Sequence, residues 1–258
     1  MATVRAIHVS AVKSLRLTAV PEAQIERYGI AGDRQFALLD ERRGRVATQR
    51  EIGAIAQIQS RYDPATTELA LVMPDGSEVV AAVNGGTPAS VKLWDRVVEG
   101  RALDGPWADA ISTVAGRPLQ ILEITDGIRA QDTYPVSLLS QASADEVGRR
   151  GGIEGGFDAR RFRPTLLLDG LGPHEEDEWV GRPVRAGEAL LTVVKLDPRC
   201  SLTTRNPETG ERDADTLRWL AEYRRFEDGD VYCGLYADIL EPGRVAVGDT
   251  VEPAGVAA

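Results

Sequence analysis

Val193 to Gly210 reads VVKLDPRCSLTTRNPETG, and this stretch decides the interpretation of the chain. It opens inside an apolar, β-branched run, Leu190 to Leu196, whose pattern predicts a buried strand. Asp197-Pro198 is expected to stop that strand, because proline has no N–H to give to a sheet ladder. Directly behind the stop come Arg199 and Cys200, then Ser201, Thr203 and Thr204. A thiol at a strand end, beside a guanidinium and hydroxyls, sits in a polar, electropositive setting that favours the thiolate, the form that attacks or binds metal. The competing reading is a small cysteine that merely packs at a strand end. Asn206 to Gly210, NPETG, closes the stretch as a turn.

Outward from this stretch the chain is rich in short strands. On the carboxyl side, Asp213 to Arg225 is expected to be a helix, with acidic residues first and arginines last, as the helix dipole favours. Its stripe of Leu217, Leu220 and Ala221, with Trp219 and Tyr223 beside it, reads as core. Val231 to Leu240 and Arg244 to Val251 read as the last strands. Cys233 shares a strand face with Val231, Leu235, Ala237 and Ile239 and reads as core packing. On the amino side, Arg160 to Pro164 feeds a strand, Thr165 to Leu168. Ser143-Ala144-Asp145-Glu146 looks like a capping box opening a helix that ends near Arg150. Gly151 to Gly156, GGIEGG, lacks the lysine and spacing of a phosphate loop and reads either as a surface loop or as a mobile cover over a site. Trp107 to Val114 is a short helix ended by Gly116 and Pro118, Leu119 to Ile124 a strand, and Asp126 to Tyr134 a polar loop.

The first hundred residues predict Val4–Val9, Gln35–Leu39, Arg45–Thr48, Ala56–Tyr62, Glu68–Met73, Glu78–Val83, Val91–Trp94 and Val97–Arg101 as strands. Their regular spacing and good turn chemistry, as at Asp63-Pro64 and Pro74-Asp75-Gly76, suggest a barrel or sandwich. Leu103 to Pro106 is the expected boundary, giving domains 1–104 and 105–258.

The 258 residues are 43% hydrophobic, enough for a sizeable core in one or two domains. No apolar run approaches the roughly 20 residues of a membrane span. The amino terminus, MATVRAIHVSAVKSL, reads as a first strand and not a signal peptide, so a cytoplasmic protein without membrane association is expected. The net charge of −10 argues against nucleic acid as a partner. Lysines occur only at positions 13, 92 and 195, so the positive charge is mostly arginine, and some of it is expected to form a local anion site inside an acidic shell. Two cysteines and two histidines are too few for a four-ligand zinc site or a cysteine-held iron–sulfur cluster.

Five motifs occur in an order that resembles the MOSC family. They are Lys13-Ser14, Gly32-Asp33-Arg34, Tyr134-Pro135-Val136-Ser137-Leu138-Leu139-Ser140, Arg161-Phe162-Arg163-Pro164 and Asp197-Pro198-Arg199-Cys200. The likeness is to its two-part members, with an amino-terminal β-barrel domain ahead of a MOSC domain, as in the mitochondrial amidoxime-reducing components and their bacterial relatives. It implies a mainly β protein with a few short helices (α+β), built as two β-barrel-like domains packed together. It implies a molybdenum cofactor, the metal on a pyranopterin dithiolene, with Cys200 as protein ligand; a soft thiolate suits a sulfur-rich molybdenum sphere. Pyridoxal phosphate is not expected. The pterin phosphate calls for cationic and hydrogen-bonding anchors. Lys13, Ser14, Arg34 and Arg163 match family positions suited to that role, with Ser137 and Ser140 in a more variable loop. Thr165 stands where the reductases usually carry Asn. Thr203 and Thr204 either hydrogen-bond near the metal or cap the turn.

The resemblance implies a reductase of N-hydroxylated or N-oxide compounds. The chain shows no dinucleotide fingerprint and no iron–sulfur ligands, so a separate flavin or ferredoxin-type protein is expected to supply electrons. Two rivals stay open. One is a sulfur carrier using a Cys200 persulfide, with Arg199 lowering the thiol pKa. The other is a non-catalytic module that binds and delivers the intact cofactor.

Overall fold

Phe36, Ala37, Leu38 and Leu39 are all buried, and they fall in two different cores: Phe36 and Leu38 in one, Ala37 and Leu39 in the other. Alternate residues of a strand point to opposite faces, so a strand covered on both sides reads as a continuous apolar run. This strand, Phe36–Asp40, belongs to a closed five-stranded barrel with Arg45–Ala47, Thr87–Leu93, Arg96–Ala102 and Gln120–Ile124. Ala37, Leu39, Val91, Val98 and Leu122 pack on one face. On the other, Phe36 and Leu38 meet Trp107 and Ile111 of the helix Trp107–Ala115 and Leu69 and Leu71 of a three-stranded sheet, residues 59–82. The Trp107 indole Nε1 donates to the Leu69 carbonyl at 2.9 Å, which satisfies its only polar atom in the core.

The second barrel has seven strands: Ala2–Val9, Leu166–Asp169, Val136–Ser140, Tyr232–Glu241, Ala189–Pro198, Pro183–Ala186 and Thr250–Pro253. Val4, Ile7, Leu138, Leu166, Leu191, Val193 and Leu235 fill it. The first strand closes this barrel by pairing antiparallel with both Leu166–Asp169 and Thr250–Pro253. The computed structural model describes residues 1–125, 127 and 129–255; of the expected loop at Asp126 to Tyr134, Asp126 and Ile128 lie outside the described residues. Among the described residues, no helix is long and apolar enough to cross a membrane.

The protein is therefore mostly strand, with three α-helices and two closed barrels among the described residues. Strand pairing does not follow a cut at Leu103–Pro106. Ala2–Val9 belongs to the seven-stranded barrel, and the 107–115 helix and the 120–124 strand belong to the five-stranded side.

Several local expectations are corrected. The Ala189–Pro198 strand runs through Asp197-Pro198 instead of stopping before it, because Pro198 sits opposite Tyr232 beyond a register shift at Leu196/Pro198 that spares the proline a ladder bond. It is also not buried throughout: a second shift between Val193 and Lys195 turns Val194 and Lys195 outward. The helix at Gln141–Arg150 begins three residues earlier than the Ser143 pattern suggests. Ser140 is its N-cap, with Oγ accepting from the Ser143 N–H at 3.0 Å. The expected helix at Asp213–Arg225 shrinks to Thr216–Ala221, since Asp213 is drawn off by Arg161, which donates to both its carboxylate oxygens at 2.6 and 2.9 Å. Arg244 to Val251 is two strands, Gly243–Ala246 and Thr250–Pro253, split by a turn with Gly248 at φ 92°.

Candidate functional site

After the first strand the chain leaves the seven-stranded barrel, and Ser10 to Lys13 runs alongside Asp33 to Phe36. The Arg34 N–H donates to the Ser10 carbonyl at 2.8 Å, the Phe36 N–H to Ala11 at 3.0 Å and the Lys13 N–H to Phe36 at 2.8 Å. Asp33, fully buried, accepts from the Ser10 N–H at 2.7 Å and pairs with the Arg34 guanidinium. Residues twenty apart in sequence, Lys13-Ser14 and Asp33-Arg34, are thus fixed side by side. Burial opposes the Arg34 charge, but the Asp33 and Asp132 carboxylates more than offset it and hold its pKa above the ordinary value.

Across from them, Cys200 follows the 189–198 strand and N-caps a short 3-10 turn, Ser201–Thr204. It is half-buried and lines the wall of two adjoining cavities, of about 590 Å³ and about 80 Å³. The neighbouring Arg199 is committed elsewhere: Nη1 pairs with Asp197 at 2.8 Å and donates to the Phe162 carbonyl at 2.8 Å, and Nε donates to the Cys233 carbonyl at 2.6 Å. Its role is to tie the Cys200 turn to two other segments. Cys233 is fully buried, and burial pushes its thiol up to about 12.

The larger cavity lies at the seam of the barrels. The five-stranded side contributes Thr48, Gln49, Arg50 and the hairpin tip Leu93 to Arg96; the seven-stranded side contributes Arg163, Pro198, Cys200, Leu202 and Tyr236. Lys13, Ser14, Arg34, Asp132 and Thr133 come from the two segments that cross between them. Five cationic side chains, Lys13, Arg34, Arg50, Arg96 and Arg163, line it against two carboxylates, Asp95 and Asp132, in a chain whose net charge is −10. Cationic side chains are thus gathered around one cavity in an otherwise acidic chain.

Backbone strain gathers here. Among the described residues six non-glycines have positive φ, and four of them line this cavity: Ser14 (72°), Arg34 (48°), Trp94 (57°) and Arg163 (52°). Such conformations cost roughly 1–3 kcal/mol each and concentrate where function over-determines the backbone. Arg163 is the most telling, because a residue before proline is normally held extended. Its Nη1 donates to Gln49 Oε1 at 3.2 Å across the seam, while Nη2 is buried with no partner. Burial, then the nearby Arg34, pull its pKa down to about 10. A guanidinium that is costly to keep charged, with a free N–H inside a cationic chamber, is arranged for an anion.

Asp132 Oδ1 accepts from Lys13 Nζ at 2.7 Å and from the Trp94 indole at 2.8 Å. Burial works against its charge, but Lys13, Trp94 and Arg34 together hold its carboxyl well below the usual range. Burial lowers the Lys13 pKa, and Asp132 restores only part of the loss. Arg50, also in the lining, stacks on Trp94, 3.8 Å from its ring centroid.

The residues singled out in the sequence do not all meet. Lys13, Ser14, Arg34, Arg163 and Cys200 share the larger cavity. Ser137, Thr165 and Thr203 line the smaller one. There Ser137 Oγ accepts from the Thr165 N–H at 3.0 Å and the two side-chain oxygens lie 3.3 Å apart, so the pair is turned partly on itself. Thr203 Oγ1 donates to the Cys200 carbonyl at 3.1 Å and contacts Thr216 Oγ1 at 2.6 Å, which makes it a turn cap. Ser140 and Thr204 line neither cavity. Ser140 is consumed by the helix cap and by Ser143, and Thr204 Oγ1 donates to the Ser201 carbonyl at 2.8 Å. Sequence reasoning missed Gln49, Arg50, Trp94, Asp132 and Tyr236. Only Trp94-Asp95 carried a signal, a two-residue hairpin with a large residue where glycine is usual.

A molybdenum–pterin dithiolene fits these donors. Among the described residues no group of three or more His, Cys, Asp or Glu could hold a metal ion. A metal here needs ligands carried by its own chelate, with one soft protein thiolate to complete them, and Cys200 is the thiol facing the cavity. The unpartnered Arg163 Nη2 and the cationic lining suit the chelate's phosphate.

Comparison with known proteins agrees with this architecture. Over 139 residues the chain is 31% identical to mitochondrial amidoxime-reducing component 1 of Mus musculus, covering 51% of this chain and 40% of that protein. The match to the Homo sapiens protein of the same name is 26% over 285 residues, covering 96% of this chain and 82% of the relative. Molybdenum cofactor sulfurase of Oryza sativa subsp. japonica is 23% identical over 274 residues, covering 92% of this chain but 33% of the relative. The matched region thus spans less than half of the mouse and rice proteins. Residues 1–117 match the MOSC N-terminal beta barrel domain and residues 125–252 match the MOSC domain. With these two matches in succession, the chain belongs to the MOSC family.

Proposed function

We propose that this protein is a molybdenum-cofactor-dependent reductase of N-hydroxylated or N-oxide compounds, with Cys200 as the protein ligand to the metal. One observation carries the reading: a half-buried thiol and a buried guanidinium with one unpartnered nitrogen, Arg163 Nη2, face the same cationic cavity at the barrel seam. When bound, the cofactor supplies a two-electron redox centre able to accept oxygen from an N–O group. The chain's own residues do the holding. Arg34 and Arg163, with their left-handed backbones, would hold the phosphate; Lys13, placed by Asp132, would neutralise charge. Gln49 locks Arg163 from the opposite barrel, so the grip depends on both halves. Thr203 and Arg199 brace the Cys200 turn against its own backbone and the 232–241 strand. The substrate would occupy the larger cavity, whose lining includes Arg50, Trp94 and Leu202. Electrons come from a separate flavin or ferredoxin-type protein, and a reducing cytoplasm suits two cysteines that are both free.

A second reading is sulfur transfer through a Cys200 persulfide, favoured by the match of 92% of the chain to a protein named molybdenum cofactor sulfurase. Against it, Arg199 spends Nη1 and Nε on Asp197 and two carbonyls, which leaves Nη2 alone without a partner. The deciding experiment measures molybdenum in protein from a host that makes the cofactor, then turnover of an N-hydroxylated compound with reduced viologen. Stoichiometric metal and turnover are expected. Metal without turnover points to a delivery protein, and metal-free protein carrying cyanide-labile sulfur points to the carrier.

A further inference from the structure

Two carboxyl groups in the walls of these cavities sit in opposite settings. Asp132 is fixed as a carboxylate by Lys13 and Trp94. Asp197, 3% exposed at the end of the 189–198 strand, faces only the smaller cavity. Tyr236, on the paired strand 232–241, shares the smaller cavity with Asp197 and also lines the larger one, so it bridges the carboxyl's cavity and the chamber that Cys200 borders. Arg199 faces Asp197 from the following turn at 2.8 Å, Lys195 from its own strand and Asp132 from the 125–135 crossing, and Arg34 and Arg163 line the same small cavity.

Resting on the reductase reading, we propose that Tyr236 delivers a proton to the substrate oxygen and that Asp197 reloads it. Reduction of R–NH–OH to R–NH2 and water breaks one N–O bond. It takes two electrons, supplied one at a time by a flavin or iron–sulfur protein, and two protons. The electron pair of the broken bond leaves with oxygen, the supplied pair ends on nitrogen, and each atom takes one proton. Tyr236 hands its proton to the departing oxygen while Asp197 protonates Tyr236, and Asp197 is reprotonated from water in the cavity. The environments favour this division. Burial, against the opposing pull of Arg199, raises Asp197 to about 7, so it is present in both forms near neutrality. Burial and the Asp197 charge hold Tyr236 well above the usual phenol range, so it passes a proton on only as it receives one. Two acidic groups with pKa values driven apart, one locked and one poised, are the pattern of an acid–base pair.

The test is Asp197→Asn, which keeps an oxygen toward Arg199. In the molybdenum-loaded enzyme kcat should fall by about 100-fold with KM little changed, and the decline of wild-type kcat above about pH 7 should vanish. In cofactor-free protein, carbon-13 NMR of labelled aspartate should show a carboxyl titrating near pH 7 that is missing in Asp197→Asn. Tyr236→Phe should retain that titration and lose rate. A variant at Asp197 with wild-type kcat and pH profile, or an Asp197 midpoint below about 5 in the cofactor-free protein, overturns the relay and leaves the reductase reading standing. Molybdenum-replete wild type without turnover overturns the reductase reading first and the relay with it.

Discussion

Replacing Cys233 with serine puts a hydroxyl where the fold offers hydrocarbon. Cys233 is fully buried in a cluster with Leu139, Val147, Phe162, Leu167 and Leu220. Burying a hydroxyl in such a place costs about 1–3 kcal/mol in proteins. For a chain of this size each kcal/mol moves Tm by about 2–4 °C, so Cys233→Ser should lower Tm by about 2–12 °C. Cys200 is half-buried on an open cavity wall, where a serine hydroxyl meets water, and Cys200→Ser should cost less than about 0.5 kcal/mol. The two substitutions are chemically identical and should separate completely: the Cys200 variant keeps its Tm and loses molybdenum and turnover, the Cys233 variant loses Tm and keeps both. Calorimetry should compare cofactor-free samples, because a bound cofactor adds its own stabilisation. Metal content is read by mass spectrometry on parallel preparations from a cofactor-producing host. Equal molybdenum loss in both variants, or a large Tm drop for cofactor-free Cys200→Ser, would refute the division of labour between the thiols.

If the cationic cavity takes a phosphate, inorganic phosphate at about ten times its dissociation constant should stabilise cofactor-free protein by about 1.4 kcal/mol, and Arg163→Gln should abolish most of that shift in calorimetry. Ser140→Ala should cost about 0.5–2 kcal/mol in denaturant unfolding by removing a helix cap, with molybdenum content unchanged, since Ser140 does not face the cavity. The pKa of Asp197 is raised from 3.8 to about 7, so its contribution to stability is full below the unfolded value and is lost as pH rises through about 7. Asp197→Asn, which does not titrate, should therefore gain on wild type in Tm between pH 5 and pH 8. A fragment of residues 105–258 should fail to unfold cooperatively by circular dichroism, because it lacks the strand 2–9 that closes its barrel and the core residues Val4 and Ile7.

Legibility in the sequence followed how locally each feature is determined. The helix at Trp107–Ala115 was clear because its breakers, Gly116 and Pro118, lie within reach of its own turns, and Gly116 does take the left-handed cap at φ 67°. Strands 68–72 and 78–82 were clear because an Asp-Gly turn joins them. The strands Thr18–Val20, Glu22–Glu26 and Gly29–Ile30 are not legible: each is short, and Glu22–Glu26, polar at Glu22, Gln24 and Glu26, depends on pairing with Gly243–Ala246 far away in the chain. At the site, Cys200 and the arginines at 34 and 163 stood out by residue type and order, but Gln49, Asp132 and Tyr236 did not, because each acquires meaning only from a partner more than thirty residues distant: Arg163, Lys13 and Asp197.

The path of the chain explains why such partners converge. It begins in the seven-stranded barrel, passes to the five-stranded one between residues 10 and 35, a passage interrupted where Thr18–Val20 pairs back with the first strand, and returns at residues 125–135. Loops are normally exposed because their backbone polar groups need water. The described parts of these crossings instead satisfy one another across the seam: Ser10 with Arg34, Ala11 and Lys13 with Phe36, and Arg34 with the Ala130 N–H at 2.8 Å. Both crossings can therefore run beside a cavity and present Lys13, Arg34 and Asp132 to it while their backbones stay paired. An anion bound there would touch residues that belong to neither barrel alone, so binding would be coupled to the docking of the two barrels. Ligand-linked stability should then exceed what the contacts around either barrel separately suggest, because the ligand stabilises only the state in which both crossings are in place.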